Sequence, residues 1–203
     1  KNDKNRSQDE HIYQITDEVV VPHTSVKNQA QSGTCWCFAG VGMVEAEILR
    51  KYNVEIDLSE MYLVRWAYAQ KFEKYIRMQG TCNFSPGGEV FDVLYAINND
   101  GMMTEDAYNG LVLGENRHQH GELHNVLAEY GKIINRKHNG KISNVWSNMV
   151  QSILDVYLGE TPETFDFKGI TYNALSLSEK YPLNIDDYVQ ISAFTNHENY
   201  KPY

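Results

Sequence analysis

Apolar residues recur at helical spacing from Cys35 onward: Cys37, Val41, Val44 and Ile48 share a stripe, with Glu45, Glu47, Arg50 and Lys51 assigned to the other faces. The pattern predicts a helix beginning at or just before Cys35. Ser59 stands where an N-cap is expected for a second helix through Leu63, Trp66 and Phe72, ending near Gly80. Val90, Val93, Leu94 and Ile97 form a third stripe, closed by Gly101. Two more follow, Leu123-Val126-Leu127-Tyr130 stopped by Gly131, and Trp146 to Tyr157 stopped by Gly159 and Pro162. The first 160 residues therefore read as mostly helical. Val19-Val20-Val21-Pro22 reads as a short extended segment, and strand alternation appears near the end, from Tyr188 to Phe194.

Composition narrows the partners. The 203 residues carry 18 Lys+Arg against 27 Asp+Glu, a formal charge of −9, which lacks the basic footprint that phosphate neutralisation requires. Nucleic acid and anionic membranes are thereby disfavoured. At 42% hydrophobic and 12% aromatic residues the chain is that of an ordered globular protein, and no apolar run approaches the roughly 18–20 residues of a membrane span. Its first residues, Lys1 to Arg6, include no initiating Met and no signal-like apolar run, as expected of a processed or trimmed chain. Three cysteines, Cys35, Cys37 and Cys82, are too few for a disulfide scaffold.

The chemistry-bearing stretch is Gln29-Ala30-Gln31-Ser32-Gly33-Thr34-Cys35-Trp36-Cys37-Phe38. A cysteine at a helix N-terminus meets unpaired N–H groups and the positive end of the dipole, which favours the thiolate that acyl transfer needs. Gly33 permits a tight approach just before the helix. Cys37, two positions on, points to another face and reads as a core thiol. The segment resembles the nucleophile region of papain-like cysteine peptidases, and its Gln-x-x-Ser-Gly-Thr-Cys-Trp-Cys-Phe form is similar to the bleomycin hydrolase and aminopeptidase C branch. The resemblance implies Cys35 as nucleophile and Gln29 as an oxyanion donor alongside the backbone N–H of the cysteine.

Further motifs extend the likeness. Leu58-Ser59-Glu60 resembles the start of the family's second helix. Gly87-Gly88 is similar to the glycine pair that binds substrate backbone in extended form, so Gly33, Trp36, Gly87 and Gly88 are expected to shape the substrate site. Gly101-Met102-Met103 resembles the family's turn into an extended segment after the third helix, and Asp186 to Val189 resembles a stretch of the bleomycin hydrolase branch. Ser32 replaces the cysteine that many secreted relatives carry three residues before the nucleophile.

The partner His and Asn of the family fall about 130–150 residues after the cysteine, and the matching window here, 165 to 185, holds no histidine. His138 and His197 sit in polar loops. A helical insertion over 111–183 would displace the histidine beyond Tyr203. His118, His120 and His124 form a His-x-His-x3-His cluster without the helix-borne Glu of zinc peptidases, and are read as a polar helix start, with no metal and no cofactor. Tyr52, Tyr62, Tyr68 and Tyr75 fit helix packing or an oligomer interface better than base stacking.

The expected fold is α+β. It comprises an arm (1–25), a mainly helical papain-like half bearing the nucleophile (26–110), a helical insertion (111–183) and the first strand of an antiparallel barrel half (184–203). The expected function is a cysteine peptidase, aminopeptidase-like, acting through an acyl-enzyme on Cys35. Its partners would be a peptide substrate and the remaining C-terminal part of the same polypeptide as a second chain. The resemblance further implies a homo-oligomer, a hexamer, and a cytoplasmic location or export after removal of a signal segment. Two readings compete: a catalytically silent peptide-binding or assembly module, and a metal or redox module built on Cys35, Cys37 and the histidines.

Overall fold

The computed structural model describes residues 16–136, 141–189, 191, 198 and 201. Five helices carry the core: α1 (Cys35–Tyr52), α2 (Glu60–Arg77), α3 (Val90–Asp100), α4 (Gly121–Asn135) and α5 (Val145–Leu158). A hairpin of β1 (Phe165–Phe167) and β2 (Ile170–Tyr172), helix α6 (Ala174–Lys180) and a 3-10 turn (Ile185–Asp187) follow. The architecture is α+β, as the sequence predicts. No described helix is long and apolar enough to cross a membrane.

Helix α1 starts at Cys35, as the sequence pattern predicts, and is held by its apolar stripe. Val41, Val44 and Ile48 are fully buried, each contributing roughly 1.5–3 kcal/mol of transfer free energy. The helix ends at Asn53, in the left-handed conformation that Asn tolerates, with its N–H donating to Leu49 O at 3.0 Å. Helix α2 starts at Ser59, whose Oγ accepts from the Tyr62 N–H at 3.0 Å and donates to Tyr108 O. It lies centrally, against α1, α3, α4 and α5. Phe72 packs there among Phe84, Tyr130 and Trp146, with ring centroids 5.7–6.0 Å apart. Arg65 ties α2 to α5 through Asp155 at 2.7 Å. Tyr62 and Tyr68 are buried within this packing.

Several sequence expectations are corrected. Gly131 does not stop α4, which runs on to Asn135; a Cβ there would lie 2.9 Å from Tyr75 Cε1, so this glycine admits an aromatic ring from α2. Glu45 is not on a solvated face but is 1% exposed beside Val44. Regular strand structure is not confined to the end of the chain. Phe165, Asp166 and Phe167 pair antiparallel with Tyr172, Thr171 and Ile170 around Lys168-Gly169, both at positive φ as a tight hairpin turn requires. Of the predicted strand Tyr188–Phe194, residues 188, 189 and 191 have no regular structure, and 190 and 192–194 lie outside the described residues, as do His138 and His197. Beyond the hairpin, α6 returns to α3, where Met102 N–H donates to Ala174 O at 3.0 Å.

The α1–α3 contact is the tightest helix approach bearing on the site. A Cβ on Gly40 would lie 2.6 Å from Val93 Cγ2 and 3.3 Å from Val90 O, whereas one on Gly42, a turn face away, meets nothing within 4 Å. Gly40→Ala is therefore expected to destabilise the protein by about 1–3 kcal/mol, and Gly42→Ala to stabilise it by about 0.5–1 kcal/mol. Urea denaturation of the two variants checks both signs.

Candidate active site

The loop 28–34 delivers the chain into α1. Asn28 Oδ1 accepts from the Ala30 N–H at 2.8 Å, and Ser32 N–H reaches back to Gln29 O at 3.2 Å. Ala30 and Gly33 both adopt positive φ, 49° and 70°. Ser32 and Thr34 are buried, their hydroxyls 2.5 Å apart. In place of a disulfide, then, a hydroxyl pair fills the space before the nucleophile position. Thr34 O accepts the first α1 hydrogen bonds, from Cys37 at 2.9 Å and Phe38 at 3.3 Å. Cys35, the first residue of α1, is exposed, and no acidic residue occupies that turn. Trp36 and Cys37 on either side of the helix are buried. The Cys37 thiol donates to Glu60 O at 3.4 Å, and burial, reinforced by Glu60, pushes its pKa well above the usual thiol value. Of the two thiols, only Cys35 is presented.

The glycine pair is brought to this turn. Trp36 Nε1 donates to Pro86 O at 2.9 Å, a Cβ on Gly33 would lie 3.2 Å from Pro86 Cγ, and a Cβ on Gly88 would lie 2.9 Å from the Trp36 indole. Gly33 and Trp36, flanking Cys35 in sequence, thus pack against Pro86 and Gly88, the residues on either side of Gly87. Gln29 Oε1 is buried and has no hydrogen-bond partner among the described residues.

Two sets of contacts fix the loop from outside. On one side Lys27, two residues before Gln29, bonds Glu45 at 3.0 Å, Glu60 at 3.3 Å, Asp57, and Leu58 O at 3.1 Å. Burial works against the Lys27 charge, but Asp57, Glu60 and Glu45 outweigh it and hold its pKa above the ordinary lysine value. Glu45 also accepts from Thr24 Oγ1 and, at 2.7 Å, from the Leu58 N–H. On the other side Gln31 N–H donates to His118 O at 3.0 Å and Gln31 O accepts from the His120 N–H at 3.3 Å, a parallel bridge to Gln119. Sequence reasoning missed both. A buried carboxylate on the apolar stripe of α1 and a lysine just upstream were the available signal for the first; nothing local signals the second.

The histidine cluster is not a polar helix start. His120 is 5% exposed, its ring 6.2 Å from Tyr68 and 5.8 Å from His118, while His124 stacks on Phe84 at 5.6 Å. Both His120 ring nitrogens are buried without a partner, and among the described residues no three His, Cys, Asp or Glu side chains are arranged to hold a metal ion. Burial, and then His118, pushes the His120 pKa down to about 4. An unfolded imidazole near 6.5 takes its proton first as pH falls, so this contribution is complete above pH ~6.5 and falls by roughly 3 kcal/mol by pH 4. Urea unfolding of wild type and His120→Leu between pH 7 and pH 4 tests this: the variant should gain on wild type steadily as pH falls.

Comparison with known proteins agrees with the geometry. The model of the papain family cysteine proteases matches residues 14–168. Peptidase 1 of Psoroptes ovis is 36% identical over 85 residues, which is 42% of this chain and 22% of that protein. Procathepsin L of Mus musculus is 38% identical over 86 residues, 42% of this chain and 23% of that protein. Among solved structures, PepW from Lactobacillus rhamnosis HN001 superposes with a TM-score of 0.59 at 19% identity, covering 82% of this chain and 46% of that one. The chain therefore spans about a quarter or less of the length of these curated relatives.

Proposed function

The chain belongs to the papain family of cysteine proteases, and from that premise we propose that Cys35 is the nucleophile of a peptide-bond hydrolysis running through an acyl-enzyme. The observation that carries this reading is the contrast within one helical turn: Cys35 is exposed at the first position of α1, while Cys37 is buried and hydrogen-bonded. The thiolate attacks the scissile carbonyl. The Cys35 N–H and the Gln29 side-chain amide stabilise the oxyanion, the amine leaves with a proton from the general acid, and water then hydrolyses the thioester.

On this reading the base and its orienting Asn would be supplied by other residues of the same polypeptide or by a second chain. Among the described residues no imidazole is hydrogen-bonded to the Cys35 thiol. Preference for chain ends, as in the aminopeptidase C and bleomycin hydrolase branch, rests on the sequence likeness around Cys35. His120, buried against Tyr68 of α2, and His124, stacked on Phe84, are engaged in packing, which supports the peptidase reading over a metal or redox module.

Cys35→Ser in the full-length protein is expected to abolish hydrolysis with little change in stability, the side chains being nearly isosteric. Gln29→Ala should lower kcat by about 10²–10³. Steady-state hydrolysis of amino-acyl and internally blocked fluorogenic peptides measures both effects and separates exopeptidase from endopeptidase action; an undiminished rate in either variant would refute its assigned role.

A further inference from the structure

Lys71 lies on α2 and is partly buried, and the hydrogen bond of its ammonium goes to a backbone carbonyl rather than to a carboxylate. Its ammonium donates to the Gly87 carbonyl and sits 4.8 Å from the centroid of the Trp36 ring. Burial lowers its pKa, and Asp92 and Cys37 partly offset that. Asp92, the nearest carboxylate influence, is itself engaged in capping α3, where its Oδ2 accepts from the Glu89 N–H at 3.0 Å. The segment Pro86-Gly87-Gly88 is therefore secured by two donors from different helices. Trp36 of α1 holds the carbonyl of residue 86 and Lys71 of α2 holds the carbonyl of residue 87, while the indole face closes on Gly88.

Two consecutive glycines have more backbone freedom than any other pair, so this stretch would sample many conformations unless something outside it fixed the peptide planes. A strand-like partner gains affinity from main-chain hydrogen bonds only where the receiving backbone is already held in register. We propose that Lys71 is a positioning residue for peptide binding. Seated on the Trp36 indole and bonded to the Gly87 carbonyl, it locks the glycine pair in the conformation on which an extended substrate backbone pairs. The cation does not touch the reacting atoms; it acts through Gly87 and Gly88. This rests on the reading of Cys35 as a peptidase nucleophile, and it assigns the pairing platform its rigidity.

The test uses the full-length protein and two alkylating probes of Cys35. One is iodoacetamide, which has no peptide backbone; the other is a dipeptidyl electrophile, which must dock first. For Lys71→Met, which keeps the stem and removes the donor and charge, the dipeptidyl electrophile should react about tenfold more slowly and KM should rise about tenfold, as loss of one charge-assisted hydrogen bond implies. The iodoacetamide rate and kcat should stay within about twofold. Lys71→Arg, which can both donate and stack on indole, should restore dipeptidyl labelling to within about threefold of wild type. Lys71→Gln, which keeps a donor without the charge, should fall between, and supplies the comparison if the methionine variant does not fold. Unchanged dipeptidyl labelling in Lys71→Met overturns the proposal, as does equal slowing of both probes, which would mark Lys71 as a general structural tie. Failure of the dipeptidyl electrophile to label Cys35 in wild type, with iodoacetamide still reacting, overturns the peptidase reading itself.

Discussion

The close approach of α1 and α3 at Gly40 is the constraint on which the site depends. Any side chain there would meet Val93 and the Val90 carbonyl, so only glycine lets α3 seat on α1 one turn beyond the nucleophile position. With α3 seated, the segment entering it has to cross the first turn of α1. That crossing sets Pro86 and Gly88 against Trp36. This contact is thus a consequence of helix packing, and the exposure of Cys35 follows from the same geometry: the stripe that buries Cys37, Val41, Val44 and Ile48 leaves the first residue of the helix facing outward.

Packing places α1, but the loop before it needs polar fastening. It contains two residues at positive φ, one of them the non-glycine Ala30, which costs of order 1–3 kcal/mol. The Lys27 cluster and the bridge to His118 and His120 supply the contacts that make this conformation the best one available. A half-buried cation bonded to Glu45, Asp57 and Glu60 is not a strong source of net stability, because desolvation opposes the attraction. Its effect is to select one path for the chain between residues 24 and 29. The bridge has a different character: it joins the loop to the segment that opens α4, so the helices predicted as an insertion bear directly on the turn before Cys35.

What the sequence revealed divides along the same line. Helix starts and faces were legible wherever an apolar stripe met a clear cap, as at Ser59, Gly101 and Gly159. Gly131 misled because a helical glycine that admits a neighbouring ring looks the same in sequence as a helix stop. Glu45 misled because a charge on an apolar stripe reads as solvated until its partner, eighteen residues away at Lys27, is known. The hairpin at 165–172 was present as alternation around Lys168-Gly169 but is only three residues per strand, below the length at which period two stands out. At the site, Gln29, Gly33, Cys35 and Trp36 are legible as a motif because they are contiguous. The dependence of Gly87 on Lys71, and of Gln31 on the residues around Gln119, is non-local and has no sequence signature.

The electrostatic field at the start of α1 is small in energy. A helix end stabilises a negative charge at an exposed first-turn position by about 0.3–1 kcal/mol, a factor of roughly two to five in the population of the anion. Acyl transfer needs more than that, together with a proton donor for the departing amine, and neither comes from α1. The buried titratable groups nearby are committed to shape. Glu45 and Glu60 hold Lys27, Lys71 holds Gly87, and His120 is kept neutral in the core. What the helices leave open to solvent is the Cys35 thiol, at the start of α1 and beside the segment that Trp36 and Lys71 hold in place.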